Sequence, residues 1–333
     1  MAIISWFFCI WICVVSLTWG QPSGGDYSFP EACQASTPES LLEGCPKNTV
    51  IDDTSHTVLI LSGTYTEQVN ITQPGPLTLL GESNSPHNAS TNSVHVRWAA
   101  ATEQGIYTEN VYTSVLIVAP TLNASLTGSG PEGLASAGPA NALSFSRANG
   151  GFYYSGFYSY QDTVYVGKLG NAYFHSSIVA KQTDFLYGFG TAWLELCGLV
   201  LRGCGGGITA WKGTNTTYPN KFGVYVHASA INAANASVAN SGHWSIFAET
   251  YEEGTIQDSG YVLWQAPITE QTLMGVYENI GPGWNVAARR EYNYSVILDK
   301  ETWEEYNSPA KVFLTEEGTP GNVQWIDQRI RWW

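Results

Sequence analysis

A repeat in the middle of the chain constrains the fold more than any other feature. Pairs of like residues recur 22 residues apart, and one further pair recurs at 20 residues. The pairs are Phe152 and Phe174, Ser155 and Ser177, Asp162 and Asp184, and, at the shorter spacing, Ala172 and Ala192. This period is too short for a unit of strand, helix and strand, and the segments are rich in β-forming residues, so each repeat should form one coil of a solenoid. The predicted fold class is all-β, a single-stranded, right-handed parallel β-helix.

The rest of the sequence favours one such domain. The 333 residues include 34 Gly and few stretches rich in Ala, Leu, Glu and Lys, so we expect short strands, frequent turns and few helices. Residues 51–333 are predicted to form the β-helix, with a C-terminal tail that packs on it and contains a short helix near Thr302 to Tyr306. Residues 21–50 are predicted to be irregular and pinned by a disulfide between Cys33 and Cys45.

The first 20 residues predict a secreted, extracellular protein. An uncharged apolar run up to Leu17 precedes small and polar residues, which is typical of a signal peptide cleaved after Gly20; an uncleaved anchor is the alternative. No later segment is long and apolar enough to predict a membrane span. Cys197 and Cys204 either pair or remain buried thiols. Six glycosylation sequons agree with secretion, and they start at Asn70, Asn88, Asn123, Asn215, Asn235 and Asn293.

The charge balance argues against some classes of partner. Against 28 acidic residues stand 14 basic ones, which gives a formal net charge of -14 at pH 7. Nucleic acids and anionic membranes would be repelled, so neither is expected as a partner, and a nearly neutral substrate is easier to accept. No group of Cys and His has the spacing of a zinc site.

Asp162 and Asp184 are the candidate catalytic residues. Equivalent positions on adjacent coils of a parallel β-helix lie about 4.8 Å apart, so the two carboxyl groups should be neighbours. Carboxyl groups at that distance titrate together, and one can remain protonated while the other ionises at about pH 5 to 7. The pair fits both retaining glycoside hydrolysis and ester hydrolysis by an aspartate nucleophile. Two structural aspartates that accept backbone hydrogen bonds are the non-catalytic alternative.

Colinear motifs around the pair resemble those of the pectin methylesterase family. "SYQDTVYVG" and "TDFLYGFG" are similar to the family's "YQDT" and "DFIFG", and "GTYTEQV" is similar to its "GxYxE". "LTLLGES" resembles the following "ITLIGE" strand, and "GGGITAWKG" resembles "GyITAQgR". The similarity runs in consistent order over roughly residues 45 to 285 and is strongest to the secreted fungal branch.

The resemblance implies an aspartyl esterase that needs no metal or cofactor and acts on methylesterified pectin (homogalacturonan). A monomer is expected. Asp184 would be the nucleophile, and Asp162 would protonate methanol and then activate water. Gln161 would donate its amide to the oxyanion. Four aromatic residues would either line the sugar site or belong to the core; they are Tyr160, Tyr165, Phe185 and Tyr187.

Two departures from the family pattern affect this predicted site. The family's "QAVAL" is here "GPANALSF", so its oxyanion glutamine falls on Pro139 or on Asn141, and only Asn141 has a side-chain amide to donate. The family's "LGRPW", whose arginine holds the nucleophile and whose tryptophan lines the sugar site, is missing. His243 and Trp244 are the nearest substitutes and do not match it, although Trp244 remains a candidate sugar contact.

The missing arginine leaves more than one function open. Without a cation the pKa of the nucleophile should rise, so that activity is weak, displaced to higher pH or absent. Arg202 and Lys212 are candidate replacements, although both are more typical of ordinary surface charges. The first hypothesis is a pectin methylesterase that releases pectate and methanol. The alternatives are an impaired relative that only binds pectin or another wall glycan and, third, a glycanase or lyase on the same fold.

Overall fold

The structure is a computed structural model that describes residues 8–11, 56–72, 75–100, 102, 109–119, 140–159, 161–181, 184–201, 207–212, 222–233, 238–240, 244–262, 268, 272–292, 294–315 and 317–327. Its strands are β1 (Phe8–Trp11), β2 (His56–Ile60), β3 (Gly63–Thr66), β4 (Val69–Ile71), β5 (Leu77–Gly81), β6 (Val94–Trp98), β7 (Leu116–Val118), β8 (Leu143–Phe145), β9 (Asn149–Tyr153), β10 (Gly156–Tyr158), β11 (Val164–Val166), β12 (Asn171–His175), β13 (Ile178–Lys181), β14 (Leu186–Gly188), β15 (Thr191–Glu195), β16 (Gly198–Leu201), β17 (Thr209–Trp211), β18 (Gly223–His227), β19 (Ala230–Ala233), β20 (Val238–Asn240), β21 (Trp244–Ala248), β22 (Tyr251–Glu252), β23 (Ile256–Tyr261), β24 (Leu273–Tyr277) and β25 (Val296–Ile297). Its α-helices are α1 (Val286–Glu291), α2 (Lys300–Glu304) and α3 (Pro309–Val312). In the described part of the chain no helix is long and apolar enough to cross a membrane.

Three long sheets run along the molecule. Sheet 1 has the strand order β22-β19-β16-β13-β10-β1-β6-β3, sheet 2 the order β17-β14-β11-β8-β7-β4, and sheet 3 the order β25-β24-β21-β18-β15-β12-β9. Successive strands go to different sheets: β10, β11 and β12 lie in sheets 1, 2 and 3, and β13 returns to pair in parallel with β10. One circuit of the three sheets is one coil, so the predicted single-stranded parallel β-helix is confirmed.

The strand register matches the sequence repeat. Phe152 on β9 is the neighbour of Phe174 on β12, and their rings stack with centroids 4.8 Å apart inside the coil. Ala172 on β12 is likewise the neighbour of Ala192 on β15. The aliphatic and aromatic side chains that point inward form one continuous core along the axis. Residues that are one repeat apart in the sequence therefore stack on adjacent coils.

The corner between sheets 3 and 1 has a recurring structure on adjacent coils. A residue with positive φ, such as Ser176 at 47°, turns the chain, and a small polar residue follows it. The side chain of that residue donates a hydrogen bond to the backbone carbonyl two positions earlier and accepts one from a backbone N–H of the preceding coil. Ser177 Oγ, for example, accepts the hydrogen bond of the Ser155 N–H at 3.1 Å. Cys197 occupies this corner on the next coil, where its buried free thiol bonds to the carbonyl of Glu195. The buried-thiol alternative therefore holds for Cys197.

The C-terminal tail packs on the outside of sheet 3. Helix α2 begins two residues before the predicted position, and Asp299 caps it by accepting a hydrogen bond from the Thr302 N–H at 2.8 Å. Trp303 stacks on Trp193 and on Tyr277, with centroids 6.4 and 5.6 Å apart. These aromatic contacts bury the face of sheet 3 that would otherwise meet water.

The predicted N-terminal features are mostly outside the described residues. Strand β1 lies within the predicted signal peptide and pairs antiparallel with both β6 and β10. The disulfide predicted between Cys33 and Cys45 and the predicted irregular segment at 21–50 fall outside the described residues, as does Cys204. Signal-peptide cleavage stays a prediction.

Candidate active site

The two aspartates occupy the corner between sheets 1 and 2 on adjacent coils. Strands β11 and β14 pair with Val164 opposite Leu186, and each aspartate precedes its strand by two residues. Both have positive φ, 65° for Asp162 and 51° for Asp184, a conformation that aspartate tolerates better than most residues. The structure therefore brings the two residues together, one coil or about 4.8 Å apart along the axis.

The environment of the pair favours one protonated and one ionised carboxyl group. Burial raises the pKa of Asp162 to about 6; Lys181 opposes this shift, the negative charge of Asp184 adds to it, and a hydrogen bond from Asn110 opposes it. Burial also raises the pKa of Asp184, again against the effect of Lys181. An acid and an ionised carboxylate can thus coexist near neutral pH, as general acid-base chemistry requires.

Two residues at the site are not predicted from the sequence. The Asn110 side-chain amide donates to Oδ2 of Asp162 from a 3-10 turn at Asn110–Thr113, 52 residues earlier in the chain. Lys181 ends β13, and its Nζ lies 3.8 Å from Oδ1 of Asp162. No sequence spacing relates Asn110 to the pair. Lys181 does give a signal, since it is a charged residue at the end of the β-prone run "IVAK", three residues before Asp184.

Gln161 and Asn141, the predicted amide donors, both lie beside the pair. Gln161 is half-buried and directly precedes Asp162; its carbonyl accepts the Ala140 N–H at 3.1 Å. Asn141 is fully buried, and its Oδ1 accepts the Tyr187 hydroxyl at 2.7 Å. The Asn141 Nδ2 has no hydrogen-bond partner among the described residues, so it is a buried donor without an acceptor. Pro139, the other position considered, lies outside the described residues.

Two of the predicted aromatic residues form a partly exposed surface next to the pair. Tyr165 on β11 and Tyr187 on β14 are neighbours in register, with ring centroids 5.0 Å apart, and both are half-buried. Burial raises the pKa of each hydroxyl above its usual value, so both are neutral over the pH range in which the aspartates titrate. Tyr160 lies outside the described residues.

The predictions for Phe185 and Trp244 need correction. Phe185 is 0% exposed and belongs to the hydrophobic core, because its side chain points into the coil; it presents no surface to a sugar. Trp244 begins β21 on sheet 3, where its Nε1 donates to the Tyr225 hydroxyl and its ring packs against Tyr306. Those contacts hold it under the C-terminal tail, whereas the aspartates lie at the corner of sheets 1 and 2.

Lys212, one of the two cations proposed from sequence, does not lie beside the aspartates. Lys212 follows β17, at the opposite ends of the sheet 2 strands from the aspartates, and its Nζ lies 5.9 Å from the Phe189 ring centroid. Arg202 and His243 lie outside the described residues. Nowhere in the described ranges do His, Cys, Asp and Glu side chains form a group that could hold a metal ion.

Comparison with protein families and sequences gives one consistent result. The pectinesterase family model matches residues 40–317. A probable pectinesterase A of Aspergillus flavus is 32% identical over 153 residues, which are 44% of this chain and 45% of the relative. A probable pectinesterase A of Aspergillus niger is 26% identical over 265 residues, 74% of this chain and 78% of the relative. The chain thus matches about half the length of the first of these relatives.

Solved structures share the fold. The pectin methylesterase from Aspergillus niger in deglycosylated form superposes with a TM-score of 0.67 at 20% identity, over 91% of this chain and 98% of that one. The pectin methylesterase from carrot has a TM-score of 0.61 at 20% identity, over 80% of this chain and 85% of that one. At these identities the likeness supports the predicted right-handed parallel β-helix.

Proposed function

This chain belongs to the pectinesterase family, and on that premise we propose that it is a secreted pectin methylesterase that hydrolyses the methyl esters of homogalacturonan to pectate and methanol. The observation that carries the proposal is the pair of stacked aspartates, of which Asp162 has its pKa raised to about 6. Two carboxyl groups one coil apart can divide the roles of acid and nucleophile without a cofactor.

In the proposed first step, a carboxylate oxygen of Asp184 attacks the ester carbonyl carbon. The carbonyl π electrons move to oxygen, which becomes an oxyanion within reach of amide donors. When the tetrahedral intermediate collapses, the bond to the methoxy oxygen breaks and Asp162 gives that oxygen its proton. Methanol leaves, and an anhydride joins the galacturonate carbonyl to Asp184.

In the second step, Asp162 is ionised and takes a proton from water. The water oxygen bonds to the galacturonate carbonyl carbon, and the bond from that carbon to the Asp184 oxygen breaks. Asp184 leaves as a carboxylate and Asp162 ends protonated, so both return to their starting states. The raised pKa of Asp162 supports this exchange, because a group with a pKa of about 6 can both give and take a proton near neutral pH.

The two amides beside the pair support oxyanion stabilisation. We expect Gln161→Ala to lower kcat roughly 10²- to 10³-fold, because a single preorganised donor contributes about that much. Asn141→Ala should lower kcat as well, since Tyr187 holds Oδ1 in place and leaves Nδ2 free to donate. Steady-state kinetics with methylesterified pectin measure both, with KM expected to change little. A rise in KM at constant kcat would instead assign these residues to ground-state binding.

The partly exposed rings of Tyr165 and Tyr187 support sugar binding at the site. Aromatic faces pack against the apolar faces of sugar rings, and these two rings lie on adjacent coils beside the aspartates. Secretion is supported by the predicted signal peptide and by the sequons. Of the six sequons, Asn88 lies on exposed surface and Asn70 is half-buried, while the other four fall outside the described residues.

The proposal is tested by measuring methanol release and acid production together on highly methylesterified homogalacturonan. We expect one methanol and one new carboxyl group per ester cleaved, with kcat falling as the pH rises above about 6, because Asp162 must hold a proton in the first step. Reducing ends and unsaturated uronides should stay at background. Their appearance would support the glycanase or lyase alternative, and folded protein without methanol release would contradict the proposal.

Binding without catalysis is the second candidate function. It is favoured by the absence of the family's "LGRPW" from the sequence. Retention of the protein on methylesterified pectin, with no methanol released at any pH from 4 to 9, would support it. The cation found beside the aspartates argues for the esterase instead.

A further inference from the structure

A fully buried lysine is in direct contact with the aspartate pair. Lys181 is the last residue of β13 and has 0% of its surface exposed. Its Nζ donates a hydrogen bond to the backbone carbonyl of Asp184 and lies 3.8 Å from Oδ1 of Asp162. The side chain therefore spans the corner where the two coils carry their aspartates, and it contacts both.

A lysine in this position needs an explanation, because burying an ammonium group is unfavourable unless it is paired. Burial lowers the pKa of Lys181 to about 7, and the negative charges of Asp162 and Asp184 act against that shift. In a purely structural role, an uncharged donor would satisfy the Asp184 carbonyl without this desolvation. The positive charge is best explained by the two carboxyl groups that it faces.

The other groups around the pair do not supply a charge of this sign. Tyr187 and Tyr165 face the pair from β14 and β11 as neutral hydroxyls, and Asn110 donates from the 3-10 turn as a neutral amide. Glu109, which precedes Asn110, acts on Tyr165 and is negative. Among the described residues, Lys181 is the basic side chain whose nitrogen lies within 4 Å of a carboxylate oxygen of the pair, Oδ1 of Asp162.

We propose that Lys181 is the positioning cation of the aspartate pair and that its ammonium group keeps one of the two carboxyl groups ionised while the other holds its proton. The inference rests on the proposed esterase function and adds to it the group that fills the role of the missing arginine. With Lys181 charged, the state that has Asp162 protonated and Asp184 ionised carries no net charge. Without it, the same buried state carries one uncompensated negative charge.

The test replaces the charge in two ways. Lys181→Met removes both the charge and the hydrogen bond to Asp184, and Lys181→Gln can keep a donor while removing the charge. An opposite charge within about 4 to 6 Å lowers a carboxyl pKa by about 1 to 3. Both variants should therefore move the acidic limb of the kcat/KM profile to a pH that is higher by about 1 to 3. At a fixed pH below the pKa of the nucleophile, kcat/KM should fall about tenfold for every increase of 1 in that pKa.

The matched control is Lys212→Met, which removes an exposed lysine on the next coil, at the other ends of the sheet 2 strands. Its pH profile should overlay that of the unmodified protein. Circular dichroism and thermal unfolding confirm that each variant is folded. If folded Lys181→Met keeps the original profile, or if Lys181→Gln restores it, the charge has no role and the proposal is overturned.

A second readout separates this inference from the proposed function. Carbon-13 NMR of labelled aspartate carboxyl groups follows the titration of Asp162 and Asp184 without any substrate. We expect the pair to titrate at a pH higher by about 1 to 3 in Lys181→Met and Lys181→Gln than in the unmodified protein. If the unmodified protein releases no methanol but this difference is present, the proposed function fails and the role of Lys181 stands. Unchanged carboxyl titrations overturn the role of Lys181 whether or not methanol is released.

Discussion

Asp184→Asn should reduce methanol release at least about 10⁴-fold at every pH from 4 to 9. Asparagine has nearly the same shape as aspartate, but its amide oxygen is far less nucleophilic and cannot form the anhydride, so the first step is lost rather than slowed. Removal of a catalytic nucleophile from other hydrolases has effects of about this size or larger. Because the substitution removes a partly buried charge, the variant should also be at least as stable as the parent near neutral pH.

The matched control for this variant is Asp258→Asn, which makes the same change at an exposed position on β23. It should retain the full rate. Loss of activity in Asp184→Asn can then be attributed to the change at the candidate site and not to damage during purification. The measurement is methanol released per mole of folded protein, with the limit of detection set below 10⁻⁴ of the parent rate (roughly the loss expected for a nucleophile). Methanol release by Asp184→Asn at more than about a hundredth of the parent rate would show that Asp184 is not the nucleophile.

The sequence predicted the pairing of the aspartates because the fold converts spacing into distance. In a parallel solenoid, residues one period apart are neighbours, so Asp162 and Asp184 had to lie on adjacent coils once the period was recognised. The same reasoning placed Ser155 beside Ser177, and the structure adds that these serines close a repeated corner. Sequence could therefore predict the fold class and the centre of the candidate site.

The parts of the site that sequence did not predict depend on side-chain direction and on long-range contact. Phe185 and Tyr187 are two residues apart, so strand alternation would place them on the same face, yet Phe185 points into the core and Tyr187 lies at the site. Asn110 reaches Asp162 from another coil by a path with no fixed period. The sequence alone does not indicate that Lys181 is buried, because a lysine at a strand end usually lies in water, whereas here the side chain is fully buried.

A second large effect is expected at a buried ion pair far from the aspartates. Arg289 on α1 donates to Oε2 of Glu252 on β22, and both side chains are 0% exposed. Asn279 donates to the other carboxylate oxygen at 2.7 Å, and Nε of Arg289 donates to the carbonyl of Asp258 at 3.0 Å. The hydrogen bonds of the guanidinium thus connect helix α1 to strands β22 and β23 near the C-terminal end of the solenoid.

We expect Arg289→Met to lower the free energy of unfolding by about 3 to 5 kcal/mol, since it leaves the Glu252 carboxylate buried without its partner. Arg290→Met is the matched control, because Arg290 is the next residue on α1 and is exposed; its effect should lie within about 0.5 kcal/mol. Urea unfolding at pH 7, followed by tryptophan fluorescence, measures both. Equal midpoints for the two variants would mean that the pair does not hold the helix.

The pH dependence distinguishes loss of the ion pair from loss of packing. Burial raises the pKa of Glu252 above its usual value even with Arg289 present, and removal of the guanidinium should raise it further. At pH values between the pKa of Glu252 in the unfolded state and its pKa in the folded state, native Arg289→Met holds a proton that the unfolded chain lacks. The free energy of unfolding of this variant therefore falls as the pH rises. The deficit relative to the parent should therefore be smaller near pH 5 than near pH 8. Adding Glu252→Gln should remove that pH dependence, because no buried carboxylate then remains at this position, whereas a deficit independent of pH would assign the effect to packing of the arginine side chain.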